Sequence, residues 1–551
     1  MKTTTLVMAA AACAVFAGAM HTAFADSANL APNAETYSQK PGMPPPGAVP
    51  ASAPRIPPTA ASAPFASTTW TNLQPSGGAA LAVARSASSP SLAPPAATPA
   101  PGELGVQAGH APGAQPAGVD AQLVARGAYL ARAGDCVACH TAKGGQPYAG
   151  GLAIESPLGK IYSTNITPER RTGIGDWTYE DFVRLMRHGR VKDGYTVYPA
   201  MPYPSYSRLS DDDLKALYAY LMHGVAPVEQ SNRKNGIPWP LSMRWPLRLW
   251  AAMFAPKPAP FTPRTGVDAE VSRGAYLVEG LGHCGSCHTP RAVTLQEKAL
   301  TDADGSIYLS GGAAIDGWVA PSLRNEHGGG LADWSRADIV EFLKTGRNTH
   351  TASFGAMNDV IVDSMQYMSD EDLNSIAAYL KSLPPHNKDA KPYRYDSTIS
   401  RELYAGVVRD AGARLYIDRC SACHRSNGLG YGKAFPALAG NPVLQGEDPT
   451  SAIHIVLSGG TQPATAGAPS SLSMAPFAKL LDDQQVADVV TFIRTAWGNQ
   501  GSKVSAAQVA KVRKTAKPIE AQNRAPMHRD LRHDQPGQGG SPAASGTGQG
   551  E

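Results

Sequence analysis

Cysteine, aromatic residues and long apolar runs are all scarce in this chain, and each scarcity narrows its class. Seven of the 551 residues are cysteine and 7% are aromatic. Past the segment Leu6 to Met20, no stretch reaches the ~18 consecutive apolar residues of a spanning helix. Any membrane attachment must therefore come from a partner or from an interfacial segment. No Gly-x-Gly-x-x-Gly follows a strand pattern, and there is neither a Walker loop nor a Gly-x-Ser-x-Gly elbow. The usual dinucleotide, nucleotide-triphosphate and α/β-hydrolase signatures are thus missing. Net charge is small, +4 at pH 7. Beyond Gly501 eight basic residues face four acidic ones, an excess equal to the whole net charge. The rest of the chain is balanced, and no nucleic-acid partner is expected.

The two ends differ from the middle. Residues 1–25 carry Lys2, the apolar stretch and then Ala23-Phe24-Ala25 before Asp26, the pattern of a signal peptide ending at Ala25. A lipoprotein reading would use Cys13, but Ala10 stands where a large aliphatic residue would be expected. Export to the periplasm follows from the signal, with the protein at the outer face of the cytoplasmic membrane. Residues 26–119 are Ala, Pro, Ser and Gly with almost no apolar periodicity, so no core offsets the entropy of ordering them and a disordered tether is expected. Residues 501–551 read as a polar, basic, disordered tail, either simply solvated or touching anionic lipid or an acidic partner.

Six cysteines carry the chemistry. They form three copies of one pattern: Cys136-Val137-Ala138-Cys139-His140, Cys284-Gly285-Ser286-Cys287-His288 and Cys420-Ser421-Ala422-Cys423-His424. On a helical turn residues i and i+3 share a face, so two thiols can add to the two vinyl groups of one porphyrin. The next residue, His140, His288 or His424, then comes under the iron as proximal ligand. A lone C-x-x-C in an exported protein could instead be a disulfide, a thiol redox pair or half a zinc site. Three copies, each followed by His and with no mature cysteine left over, favour three covalent haem c groups.

The surroundings of the motifs repeat as well. Arg126-Gly127-Ala128-Tyr129-Leu130 and Arg273-Gly274-Ala275-Tyr276-Leu277 precede the first two, with Gly412-Ala413-Arg414-Leu415-Tyr416 before the third. Asp176-Trp177 matches Asp333-Trp334, each followed by a helix cap, Thr178 or Ser335, with an acid three residues on. Each repeat closes on an amphipathic helix: Leu214/Leu217/Tyr218/Leu221, Leu373/Ile376/Ala377/Leu380 and Val486/Val489/Val490/Ile493. Ser210 and Ser369 stand as N-caps of the first two. The expectation is an all-α chain of three consecutive cytochrome c-like domains, residues 120–238, 267–390 and 391–500, with a linker over 239–266. That linker holds Trp239, Trp245, Trp250 and Phe254 with Arg244 and Arg248. Two readings of it stay open: packing between domains, or contact with a bilayer interface or a dehydrogenase surface.

A sixth iron ligand is expected in the loop before each closing helix, and a methionine stands in each: Met201, Met357 and Met474. In the second domain Met365 and Met368 are also near; Met357 is preferred because Met368 immediately precedes the cap Ser369. A proximal His usually donates its other ring N–H to a carbonyl. Pro321 and Pro436 offer one in domains two and three. Thr164 stands in the equivalent place in domain one, so a different arrangement is expected there.

The segments Ser163-Thr164-Asn165-Ile166-Thr167-Pro168, Thr172-Gly173-Ile174-Gly175-Asp176-Trp177, Tyr198 to Tyr203 and Met365-Gln366-Tyr367-Met368-Ser369-Asp370 resemble the trihaem cytochrome c subunits of bacterial membrane-bound dehydrogenases, the gluconate 2-dehydrogenase and alcohol dehydrogenase subunits among them. The resemblance spans roughly residues 120 to 500. It implies an electron-transfer subunit, without a catalytic residue of its own, beside a catalytic flavoprotein or quinoprotein subunit that oxidises a sugar acid or an alcohol. Electrons would pass to ubiquinone or a terminal oxidase, with peripheral membrane association. A cytochrome subunit of a molybdenum hydroxylase or aldehyde dehydrogenase complex is the alternative. The long tether and the polar tail depart from the family pattern.

Overall fold

The computed structural model describes residues 120–516; the expected signal peptide, the tether and the tail beyond Ala516 lie outside the described residues. The first domain is built from α1 (Ala121–Ala133), β1 (Ala153–Ile154), β2 (Ile161–Tyr162), α2 (Tyr179–His188) and α3 (Asp211–His223). The linker holds α4 (Trp245–Phe254). The second domain has α5 (Ala269–Tyr276), β3 (Ala314–Ile315), β4 (Trp318–Val319), α6 (Arg336–Thr345), α7 (Ala356–Asp363) and α8 (Asp370–Ser382). The third has α9 (Ala411–Arg419), α10 (Thr450–Ser458), β5 (Gly460–Thr461), β6 (Ser473–Met474), α11 (Asp483–Thr495) and α12 (Ala506–Arg513). The fold is helical as expected, but each domain adds one antiparallel two-residue ladder.

Helix ends follow the side chains that can satisfy their first N–H groups. Thr178–Asp181 and Ser335–Asp338 form reciprocal capping boxes. Ser210 and Ser369 accept from Asp213 N and Asp372 N. In the third closing helix Asp482 and Gln485 make the same box.

In every domain the first helix crosses the closing helix, and glycine sets how close they come. A Cβ on Gly127 would stand 1.9 Å from Ala216 O, on Gly274 1.9 Å from Ser375 O, and on Gly412 2.3 Å from Asp488 O. The crossing buries the apolar stripe read from the sequence: Leu214, Leu373 and Val486 are each fully buried. Each such side chain contributes roughly 1.5–3 kcal/mol of burial.

One finding goes beyond the expected chain of three domains, and one expectation needs correction. The first two domains do not have separate cores: one apolar cluster runs from Leu130 and Leu217 through Leu277 and Leu281 to Ile361 and Leu380, whereas the third has its own, around Tyr416, Ile453, Val490 and Trp497. The tail expected to be disordered from residue 501 begins instead with α12, capped by Ser505 and Gln508. Val509 and Val512, three apart, are buried against α10 and α11, and Arg513 Nε donates to Asp483 at 2.6 Å. The charged residues around these two valines hid the pattern, so the third domain reaches at least Ala516.

Candidate haem-binding sites

Each C-x-x-C-H motif forms a helical turn shortly after the first helix of its domain, in the second domain beyond a π-turn over Leu277–Leu281. Among the described residues no disulfide joins the six cysteines. Burial pushes the thiols of Cys136 and Cys284 up to about 12 and that of Cys420 to about 11. A reactive dithiol needs the opposite shift, so a thiol redox role is disfavoured. Among the described residues no three His, Cys, Asp or Glu side chains gather as a metal-binding set.

The histidines are oriented alike. His140 Nδ1 donates to Thr164 O at 2.7 Å, His288 Nδ1 to Pro321 O at 2.7 Å and His424 Nδ1 to Pro436 O at 2.9 Å. A carbonyl can only accept, so the proton is on Nδ1 and the Nε2 lone pair is left for a metal. Burial also lowers the pKa of all three, against the pull of those carbonyls, and favours the neutral ring. Each histidine's own carbonyl accepts from a glycine N–H, Gly150 at 2.7 Å, Gly311 at 2.9 Å or Gly430 at 3.1 Å. The first site was expected to differ for want of proline, and it does not. The acceptor is main chain, so Thr164 serves as well, positioned by Asn165, whose N–H donates to Asn232 Oδ1 at 2.7 Å and whose Nδ2 donates to Val228 O at 2.8 Å.

The three methionines are half buried, Met201 and Met357 against the core that the first two domains share and Met474 against that of the third. Met201 precedes the turn Tyr203–Tyr206 and Met474 lies on β6, paired with Gly460. Met357 is on the first turn of α7 rather than in a loop. Met365 and Met368 are buried in the core, at 7% and 3% exposure. Thiol pairs, an imidazole with its Nε2 lone pair available and a thioether on each domain make a donor set that fits haem c.

The first two sites are interlocked. Helix α7, which carries Met357, packs on the Cys136–Cys139 turn, and Tyr203–Tyr206, just after Met201, packs on Leu277–Leu281 ahead of Cys284. Tyr206 OH donates to Gly134 O at 3.2 Å and its ring meets His283 edge-on at 5.7 Å. The third site docks through Trp318, whose ring stacks on His454 at 4.0 Å while His454 Nδ1 donates to Gly317 O at 2.8 Å.

Sequence reading missed these contacts and also Glu279. The signal for Glu279 was a count: six residues lie between Tyr129 and Cys136, and seven between Tyr276 and Cys284. The extra residue is absorbed as a π-turn, Leu277–Leu281. It places Glu279 in the interior, accepting from Tyr379 OH at 2.7 Å and Arg208 Nη2 at 2.8 Å.

Comparison with known proteins agrees with this geometry. The cytochrome c family profile matches residues 124–224, 271–384 and 410–497. The chain is 55% identical to the gluconate 2-dehydrogenase cytochrome c subunit of Pantoea cypripedii, over 71% of this chain and 90% of that one. It is 52% identical to the cytochrome c subunit of the quinone alcohol dehydrogenase of Gluconobacter oxydans, over 73% and 84%. It is 38% identical to the fructose dehydrogenase cytochrome subunit of Gluconobacter japonicus, over 73% and 85%. Three haem c groups and these kinships place the chain in the family of cytochrome c subunits of bacterial membrane-bound dehydrogenases.

Proposed function

We propose that this chain is the periplasmic electron outlet of a sugar-acid or alcohol dehydrogenase, taking electrons from a flavin- or PQQ-dependent catalytic subunit and passing them to ubiquinone or the respiratory chain. The observation that carries the reading is the threefold site, in a chain 55% and 52% identical to cytochrome subunits of such enzymes. Haem c supplies one-electron storage at each site. The cysteine pairs Cys136/Cys139, Cys284/Cys287 and Cys420/Cys423 hold the groups covalently. His140, His288 and His424 are the proximal ligands, fixed by carbonyls, and Met201, Met357 and Met474 the distal ones. Core burial of Met365 and Met368 supports Met357 over both. Methionine at the sixth position favours relay over substrate binding, which ordinarily uses an open iron.

Signal cleavage after Ala25 and haem attachment after export place the protein in the periplasm in this reading. The isolated holoprotein should not be reduced by gluconate or ethanol. With the cognate catalytic subunit added it should be, and should then reduce a ubiquinone analogue. Reduction of the isolated chain by substrate overturns the proposal. Reduction only beside a molybdenum hydroxylase would move the chain to that class of complex.

A further inference from the structure

The linker between the first two domains shows an apolar, cationic face that neither domain covers. Helix α4 has no buried residue. Its inner side is held: Trp250 Nε1 donates to Thr294 O at 2.8 Å, Trp250 meets Phe254 at 5.8 Å, and the Arg244 guanidinium at its N-terminus lies 3.9 Å from the Tyr198 ring centroid. Trp245, Leu249, Ala252 and Met253 fall on the opposite side at helical spacing. Trp245 is 59% exposed and Met253 52%, with Trp239, ahead of the helix, at 80%. Val293, beside the Thr294 that anchors the helix, is 76% exposed and adds an apolar group from the second domain.

Charge on this segment has one sign. From Gln230 to Val267 there is no Asp or Glu, while Arg233, Lys234, Arg244, Arg248, Lys257 and Arg264 are all basic. Among the described residues no carboxylate forms an ion pair with Arg244, Arg248 or Lys257. Among the described residues, too, no helix is long and apolar enough to cross a membrane. Ten residues, about 15 Å of helix, with tryptophan at the rim and cations alongside match a segment lying in the headgroup layer.

We propose that α4 and its flanks, with Trp239, Trp245 and Met253 foremost, are the surface by which this chain docks on an anionic phospholipid bilayer. A phosphate layer is negative at every point, whereas a protein partner that recognises cations places carboxylates opposite them in a pattern. A segment with no acid of its own, exposed tryptophans and six basic residues, of which Arg264 is already paired with Asp302, suits the former. The proposal rests on the reading of the chain as an electron outlet at the membrane and names the face that reading requires.

The test uses full-length holoprotein and the variant Trp239→Ser/Trp245→Ser/Met253→Ser, whose three exposed side chains can be changed with the haem count as the check on folding. Binding is measured by co-sedimentation with vesicles of phosphatidylcholine containing one third phosphatidylglycerol. The parent should bind, more weakly as salt is raised or phosphatidylglycerol omitted. The variant should lose at least about tenfold in partition, and residues 239–258 of the parent should exchange backbone hydrogen more slowly on vesicles. Absent binding by the parent, or unchanged binding by the variant, overturns the proposal. So does a variant that keeps its vesicle affinity but no longer assembles with the catalytic subunit, since the face would then be a protein interface. Electron uptake from that subunit in detergent is measured separately: its loss in the parent strikes the electron-outlet reading, and its retention in a variant that has left the membrane supports the docking assignment.

Discussion

Tyr129 of the first domain donates its phenol proton to Asp372 of the second at 2.5 Å, and Tyr276 of the second returns the same contact to Asp213 of the first, also at 2.5 Å. Each aspartate is bound meanwhile by the arginine of its own domain, Asp213 by Arg126 at 2.6 Å and Asp372 by Arg273 at 2.8 Å. The two domains are therefore joined like halves of a two-fold dimer. Burial alone would lift the Asp372 carboxyl, but the bonds from Arg273 and Tyr129 outweigh it and hold it below its ordinary range, while burial and that carboxylate push Tyr129 up to about 12. The third repeat has Ala411, Arg414 and Gln485 where the others have Arg, Tyr and Asp. It lacks the groups for such an exchange.

Tyr129→Phe should cost about 1.5–3 kcal/mol of stability, the range for a hydrogen bond to a charged group. Asp372→Asn should cost at least as much, because Arg273 and Tyr129 both lose their carboxylate. Urea unfolding of the holoprotein measures both. The double variant should fall well short of the sum, and strict additivity would show that the pair does not interact.

Gly127→Ala and Gly274→Ala should each lower stability by several kcal/mol, because the new methyl group meets a carbonyl of the crossing helix. Reduced haem content in the affected domain is the expected readout. Gly144→Ala is the comparison: its φ is +70° with nothing within 4 Å of a Cβ, so only backbone strain of about 1 kcal/mol applies.

Met201→Ala, Met357→Ala and Met474→Ala should each remove about one third of the red-edge absorption band that reports iron–thioether ligation, on the proposed one methionine per haem. Met368→Ala should leave the band whole and cost about 2–5 kcal/mol as a core cavity. Loss of the band in Met368→Ala with its survival in Met357→Ala would exchange their roles.

Burial pushes the Glu279 carboxyl up to about 7, against the pull of Tyr379 and Arg208. The folded chain then holds a proton that an unfolded glutamate releases near pH ~4.3. Stability from this group is fully present below that value and is lost as pH rises through 7. Unfolding free energy should fall by roughly 1–3 kcal/mol across that window relative to Glu279→Gln, in which this contribution is absent. Equal slopes for parent and variant would refute the assignment.

Covalent chemistry and local geometry were legible in the chain because both are short-range. C-x-x-C-H specifies its own turn, Thr178, Ser210, Ser335 and Ser369 cap the helices that follow them, and the apolar stripes of α3, α8 and α11 mark the faces that become buried. Even the acceptor for His288 and His424 was readable, since the proline carbonyls stand at equivalent places. Contacts between repeats were not readable. Nothing in Arg-Gly-Ala-Tyr tells that arginine serves its own domain while tyrosine serves the neighbour, that one extra residue before Cys284 turns Glu279 inward, or that Val509 and Val512 extend the third core. Such relations depend on how helices far apart in the chain pack, where burial and shape decide among many pairings that local residue pattern leaves equally open.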